Sequence, residues 1–178
     1  MKQFKKISNE VYYTDKTITK IEDHDIKFLK ANVKDTQRKR IRICTHLNEG
    51  DSLQEMFIVL SKETYIRPHK HINKSESLHV IEGSADVIFF DNEGNIIEVI
   101  LLSDSSPRLC FYYRISKPVY HTLIVKTDFF IFHEATQGPF TKSDTIYAPW
   151  SPKENNFVET EKFICQLKQS ANIFLDKG

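Results

Sequence analysis

At 178 residues, with 40% hydrophobic and 12% aromatic residues, the chain has the length and apolar content of one domain with a substantial core. A formal net charge of +1 excludes a globally basic nucleic-acid binder, and no stretch approaches the roughly 18 apolar residues of a membrane span. Cys44, Cys110 and Cys165 are odd in number, far apart and outside any Cys-x-x-Cys pattern, which argues against a disulfide framework and a thiolate zinc site and predicts buried thiols.

The basic start Met1-Lys2-Gln3-Phe4-Lys5-Lys6 has no apolar run behind it, so no secretory signal is read and a cytoplasmic protein is expected. Charge is uneven, with 12 Lys and Arg against 6 Asp and Glu over residues 1–42 and 13 against 18 over the remainder. That describes a basic arm on a mildly acidic body, either as solvated surface or as a face for an anionic ligand or subunit. From Thr17 to about Val33 the residues Ile18, Ile21, Ile26, Phe28, Leu29 and Val33 recur at helical intervals. With Asp15 as cap, this predicts an amphipathic helix in an N-terminal helical arm, residues 1–37.

Strands are predicted at 41–44, 55–60, 64–67, 78–81, 85–90, 96–102, 109–115, 122–125 and 129–134, with Gly83 and the Asp91-Asn92-Glu93-Gly94-Asn95 run as turns. Short strands at near-regular intervals, separated by Gly, Pro and Asx turns, define an all-β body over residues 38–153, and the double-sheet jelly roll is the architecture selected. Residues 154–178 read as a C-terminal extension, helical from Phe157 to Phe174, that packs back on this body.

The chemistry concentrates at Arg67-Pro68-His69-Lys70-His71-Ile72-Asn73-Lys74-Ser75-Glu76. His69 and His71 leave one face of an extended backbone and converge on one ion. Glu76, after a short turn, adds a carboxylate to a nitrogen and oxygen set that suits a divalent transition metal. Lys70 then faces outward, and His79, three residues after Glu76, projects from the opposite face. Arg67 reads either as a cation for a substrate carboxylate or phosphate or as a structural ion pair. Tyr120 offers a hydroxyl or plain packing, and His133 reads as a core histidine or as a proton donor.

Four residues separate His71 from Glu76 and six separate Glu76 from Gly83, which resembles the first motif of the cupins: His-x-His, three or four residues, Glu, six residues, Gly. The resemblance implies the double-stranded β-helix fold and a third histidine on a later strand behind a proline. Pro118-Val119-Tyr120-His121 supplies His121 in that place, although no Gly precedes Pro118 and no Pro-x-Gly precedes His121 as in the usual second motif.

A narrower resemblance rests on Tyr65-Ile66-Arg67-Pro68-His69-Lys70-His71, Lys74-Ser75-Glu76-Ser77, Glu82-Gly83, Val119-Tyr120-His121-Thr122, Glu134 with Gly138-Pro139, and Ala148-Pro149-Trp150-Ser151-Pro152. Together these look like the WbuC group of small bacterial cupin-fold metalloproteins, associated with O-antigen and related surface-polysaccharide biosynthesis. That implies one divalent ion, Zn, Fe, Ni or Mn, held by His69, His71, Glu76 and His121, and a small polar substrate such as a sugar or sugar nucleotide. The expected function is an enzyme in which the metal is a Lewis acid and His133 or Glu134 moves a proton, with Arg67 and Tyr120 at the substrate. Three other readings stay open: a non-catalytic metabolite-binding regulator, an Fe(II)-dependent oxygenase, and a metal-free epimerase or isomerase that uses histidine as base. Pairing of two copies through sheet edges or arms is also expected.

Overall fold

Alternation along each strand sends successive side chains to opposite faces; the inner faces meet in a shared core and a helix covers part of each outer face. The computed structural model describes residues 3–177. In chain order the elements are β1 (Phe4–Lys6), β2 (Val11–Thr14), α1 (Asp23–Asn32), β3 (Arg40–Cys44), β4 (Leu53–Ser61), β5 (His69–His71), β6 (Glu76–Glu82), β7 (Ser84–Phe90), β8 (Ile96–Ser103), β9 (Tyr112–Ile115), β10 (Tyr120–Val125), β11 (Phe129–Gln137), β12 (Thr145–Tyr147) and α2 (Phe157–Leu175).

One sheet runs β1-β2-β3-β4-β11-β6-β9 and the other β12-β5-β10-β7-β8. Apart from the parallel β2–β3 pair, the neighbours are antiparallel. Partners distant in sequence, such as β4 with β11 and β5 with β10, alternate with the β7–β8 hairpin. Two facing sheets joined this way are the jelly roll expected from the strand pattern.

The interior between the sheets holds Met56, Ile58, Leu60, Leu78, Val80, Val87, Phe89, Leu102, Tyr113, Phe130 and Phe132. On the outer face of the larger sheet, Leu29 and Val33 pack on Ile41, Ile43, Val59 and Ile131. On the outer face of the smaller sheet, Leu167 and Ala171 of α2 pack on Ile88, Phe90, Val99, Tyr120 and Ile124. Each fully buried Leu, Ile, Val or Phe contributes about 1.5–3 kcal/mol relative to exposure, so both helices are anchored by burial more than by propensity.

The N-terminal segment departs from the expected helical arm. Residues 4–14 form the β1–β2 hairpin, and α1 starts at Asp23 rather than near Thr17. Thr17, Ile18 and Thr19 are β-branched and of low propensity for a helix interior. Thr19 instead pairs its hydroxyl with that of Thr14 at 2.7 Å, and Ile18 is 77% exposed. The cap falls later, where Asp25 Oδ2 accepts from the Glu22 amide at 3.1 Å and Asp23 and Asp25 put negative charge in the first turn. Met1 and Lys2 of the basic start lie outside the described residues.

Residues 64–67 are irregular rather than a strand, because their groups bond elsewhere: the Thr64 amide to Ser61 O at 3.0 Å and the Tyr65 hydroxyl to Pro152 O at 3.0 Å. Pro68, without an N–H, keeps β5 from starting earlier. The three cysteines are free, with Cys44 buried as expected and Cys165 exposed on α2. No helix among the described residues is long and apolar enough to cross a membrane.

Candidate metal centre

The β5 strand is three residues long and presents His69 and His71 on its inner face, with Lys70 between them pointing out to Asn92 Oδ1 at 3.0 Å and to the Tyr120 ring. Asn73 then takes a left-handed turn, φ 60°, a conformation in which Asn is among the favoured residues. This reverses the chain so that Glu76 opens β6 and points back inward. At the far side of β5, His121 of β10 stands opposite His69 in the antiparallel register. One ligand atom from each of His69, His71 and His121 lies within 4.8 Å of the others, and Glu76 joins them, Oε1 at 2.9 Å from His121 Nε2 and Oε2 at 3.2 Å from His71 Nε2.

Tautomers decide whether this cluster fits a cation. His69 Nδ1 lies 2.9 Å from Arg67 O and His121 Nδ1 3.0 Å from Val119 O. A carbonyl only accepts, so each Nδ1 carries a hydrogen; the His69 Nε2 is left as a lone pair, while the His121 Nε2, 2.9 Å from Glu76 Oε1, donates to that carboxylate until an ion takes the place of its proton. His71 Nδ1 is held by Thr145 Oγ1 at 3.1 Å, in the pattern by which metal-binding imidazoles are oriented from behind. The residues present fit a divalent transition metal in donor type, tautomer and proximity.

The electrostatics agree. Burial, then the neighbouring His121 and His71, push the His69 imidazole down to about 3, which keeps it neutral and available as a ligand. Burial opposes the Glu76 charge, yet His121 and His71 hold its carboxyl well below the usual carboxylate range. Burial also opposes a proton on His121, but the Glu76 charge and hydrogen bond outweigh it and raise the group. In the absence of an ion, the Glu76–His121 pair therefore holds the charge that a metal would replace.

The cluster borders a cavity of about 540 Å3 between the sheets. Glu134 of β11 shares this cavity, and burial followed by the Glu76 charge lifts its carboxyl to about 7. Arg67 also reaches the wall. Its guanidinium is taken up by the C-terminal crossing, donating to Ser151 Oγ at 3.0 Å and Ala148 O at 3.1 Å and lying 5.0 Å from the Tyr147 ring. It is a clasp for that crossing more than a free cation.

Two expected site residues are elsewhere. Tyr120 precedes His121 and so faces the other side of β10, buried with Phe90 and Trp150 beneath α2. His133 precedes Glu134 and likewise faces outward, with Nε2 3.4 Å from Glu55 Oε1 in a more open hollow of about 650 Å3 beside Thr17 and Phe57. Neither reaches the cluster, because a strand cannot present two consecutive side chains to one face. Conversely, Thr145, Arg42 and His46 belong to the centre or its cavity. The alternation Arg40, Arg42, Cys44 carried the signal for Arg42, and the three-residue β12 gave too short a pattern to reveal Thr145.

The fold and the cluster define a class: a jelly-roll protein with three imidazoles and a carboxylate gathered at one end of the interior cavity. A family described as "Domain of unknown function (DUF6016)" matches residues 21–102, which include the His-x-His segment and Glu76 but not His121. No curated protein matches the sequence.

Among solved structures, the chain is similar to protein SO0799 from Shewanella oneidensis, with 14% identity and a TM-score of 0.47 over 58% of this chain and 66% of that one. It is also similar to oxalate decarboxylase from Bacillus subtilis, with 17% identity and a TM-score of 0.45 over 55% of this chain and 24% of that one. A third is the capsular polysaccharide assembling protein CapF from Staphylococcus aureus, with 18% identity and a TM-score of 0.45 over 60% of this chain and 27% of that one. The chain thus spans just under two thirds of the first and about a quarter of the other two.

Proposed function

We propose that this chain is a cupin-type metalloenzyme of WbuC-like character, acting on a small, polar, carbohydrate-derived substrate in bacterial surface-polysaccharide biosynthesis. The observation that carries the metal reading is the convergence of the His69, His71 and His121 nitrogens within 4.8 Å beside the Glu76 carboxylate. The carbohydrate reading rests on the sequence phrases shared with the WbuC group, from Tyr65-Ile66-Arg67 to Ala148-Pro149-Trp150. A divalent ion held by these four side chains would supply Lewis acidity towards a carbonyl or hydroxyl oxygen.

The protein's own groups do the rest. A cavity of about 540 Å3 is of a size for a monosaccharide with its substituents. Glu134, a buried carboxyl on the cavity wall beside the cluster, is the residue placed to take up and return a proton. Phe132, Leu78 and Met56 line the same cavity and limit water around the reacting atoms.

The test is incubation of the metal-loaded protein with sugars, sugar acids and sugar nucleotides in deuterated water, followed by NMR. Exchange or isomerisation at a carbon next to a carbonyl, lost in His71→Ala and reduced at least about a hundredfold in Glu134→Gln, is the expected result. Binding without turnover across the panel would favour the regulatory reading. Oxygen uptake coupled to substrate loss would favour the oxygenase.

A further inference from the structure

Most cations around the cavity are already matched. Arg38 is paired with Glu10, Arg40 with Glu154 at 3.2 Å, and Lys74 with Asp144 at 3.3 Å. Arg42 takes part in none of the ion pairs among the described residues, and its Nε is buried with no hydrogen-bond partner there. A charged donor in that condition is strongly destabilising unless something accepts from it.

A second donor beside the same cavity is in the same state. His46 is 5% exposed, and its Nε2 is also buried without a partner. Its Nδ1 lies 3.0 Å from both the amide and the carbonyl of Glu55. The Glu55 N–H can only donate, so it donates to Nδ1 and the ring hydrogen sits on Nε2. Burial lowers the His46 pKa, consistent with that neutral ring.

Arg42 on β3 and His46 in the bend just after it both line the cavity that holds His69, His71 and His121. The Arg42 Nε and the His46 Nε2, both buried beside this cavity without an acceptor, are donors that an oxyanion bound there would satisfy.

We propose that Arg42 and His46 form an oxyanion subsite on the β3 wall, which receives the carboxylate or phosphate group of a small substrate whose other end meets the histidine cluster. The second half of this assignment rests on the proposed metalloenzyme reading; the anion subsite does not. It makes the substrate an acid, either a sugar acid or a sugar phosphate, rather than a neutral sugar.

The experiment uses full-length protein freed of metal by chelation, so that no ion can bind the probe. Acetate, inorganic phosphate and uncharged acetamide are titrated at constant ionic strength while the Arg42 Nε–H and backbone amide resonances are followed by NMR. Saturable displacement of the Arg42 Nε–H signal by acetate or phosphate, and none by acetamide, is expected. The preferred anion identifies the group that the subsite takes. Arg42→Gln should weaken that binding about 10–100-fold, the loss of a charged hydrogen bond, with Arg42→Lys intermediate and His46→Phe weakened at least threefold. An Arg42 signal unmoved by either anion, or equal affinity in wild type and folded Arg42→Gln, would overturn the assignment. Because the ligands are untouched, Arg42→Gln should still take up metal; a failure of the metal reading would show in His69→Ala and leave this result unchanged.

Discussion

His69 and His121 stand directly opposite each other in the antiparallel pairing of β5 with β10, with ring centroids 4.6 Å apart. Two residues 52 positions apart are thereby fixed in one geometry by a single ladder register. A slip of one residue would turn His121 out and bring Tyr120 in. That register is locked by the six-residue pairing of β10 with β7 and by the apolar layer in which Tyr120 is buried under α2.

Thr145 orients His71 through its hydroxyl, 3.1 Å from Nδ1. Thr145→Val keeps the shape of the side chain and removes that bond. Metal affinity, measured by competition with a chelating dye, should fall about 10–100-fold, while the thermal unfolding of the metal-free protein stays close to wild type.

Metal uptake should be pH-dependent. The Glu76 charge and hydrogen bond raise the pKa of His121 above its ordinary value, so metal must displace a proton held there. Affinity should fall progressively as pH is lowered. Calorimetry in buffers of different ionisation enthalpy should show proton release on binding at pH 7, and equal heats in all buffers would contradict this.

Glu134 has a folded-state carboxyl lifted to about 7 by burial and the Glu76 charge, against roughly 4.3 for an unperturbed Glu. The unfolded chain therefore gives up this proton first. The group's contribution to stability is present below the unfolded value and is lost as pH rises through about 7. In metal-free protein, Glu134→Gln should flatten the decline in melting temperature between pH 5 and 8, because the amide cannot ionise. A decline as steep as wild type would show that another group causes it.

Gly83 joins β6 to β7 at φ +89°, and a Cβ there would lie 2.3 Å from Phe129 O and 2.6 Å from Thr127 Oγ1. Backbone cannot yield as a side-chain end can, so Gly83→Ala combines a left-handed conformation with a clash. A loss of about 2 kcal/mol or more, equivalent to several degrees of melting temperature, is expected.

Much of this was legible in the chain. His69, His71 and Glu76 were readable from spacing because strand parity fixes which side chains share a face, and Gly83 from its place at a hairpin. The same parity separates Tyr120 from His121 and His133 from Glu134, and it places Arg42 inward beside Cys44. The β1–β2 hairpin was hidden because strands of three and four residues, with Lys5 and Lys6 among them, carry almost no periodic signal. Ile18 mimicked a helical apolar stripe while lying in solvent. Thr145 and His46 depend on contacts across β12–β5 and β3–β4, which no local pattern encodes.

The most direct test of the account is elemental analysis of the anaerobically purified wild-type protein beside the His69→Ala, His71→Ala double variant, with folding of both verified by circular dichroism. The account predicts close to one divalent transition metal per wild-type chain and almost none in the folded variant. A wild-type protein that neither carries such an ion nor takes one up on titration would contradict it. The histidine cluster would then stand as acid and base groups in a cavity that works without metal.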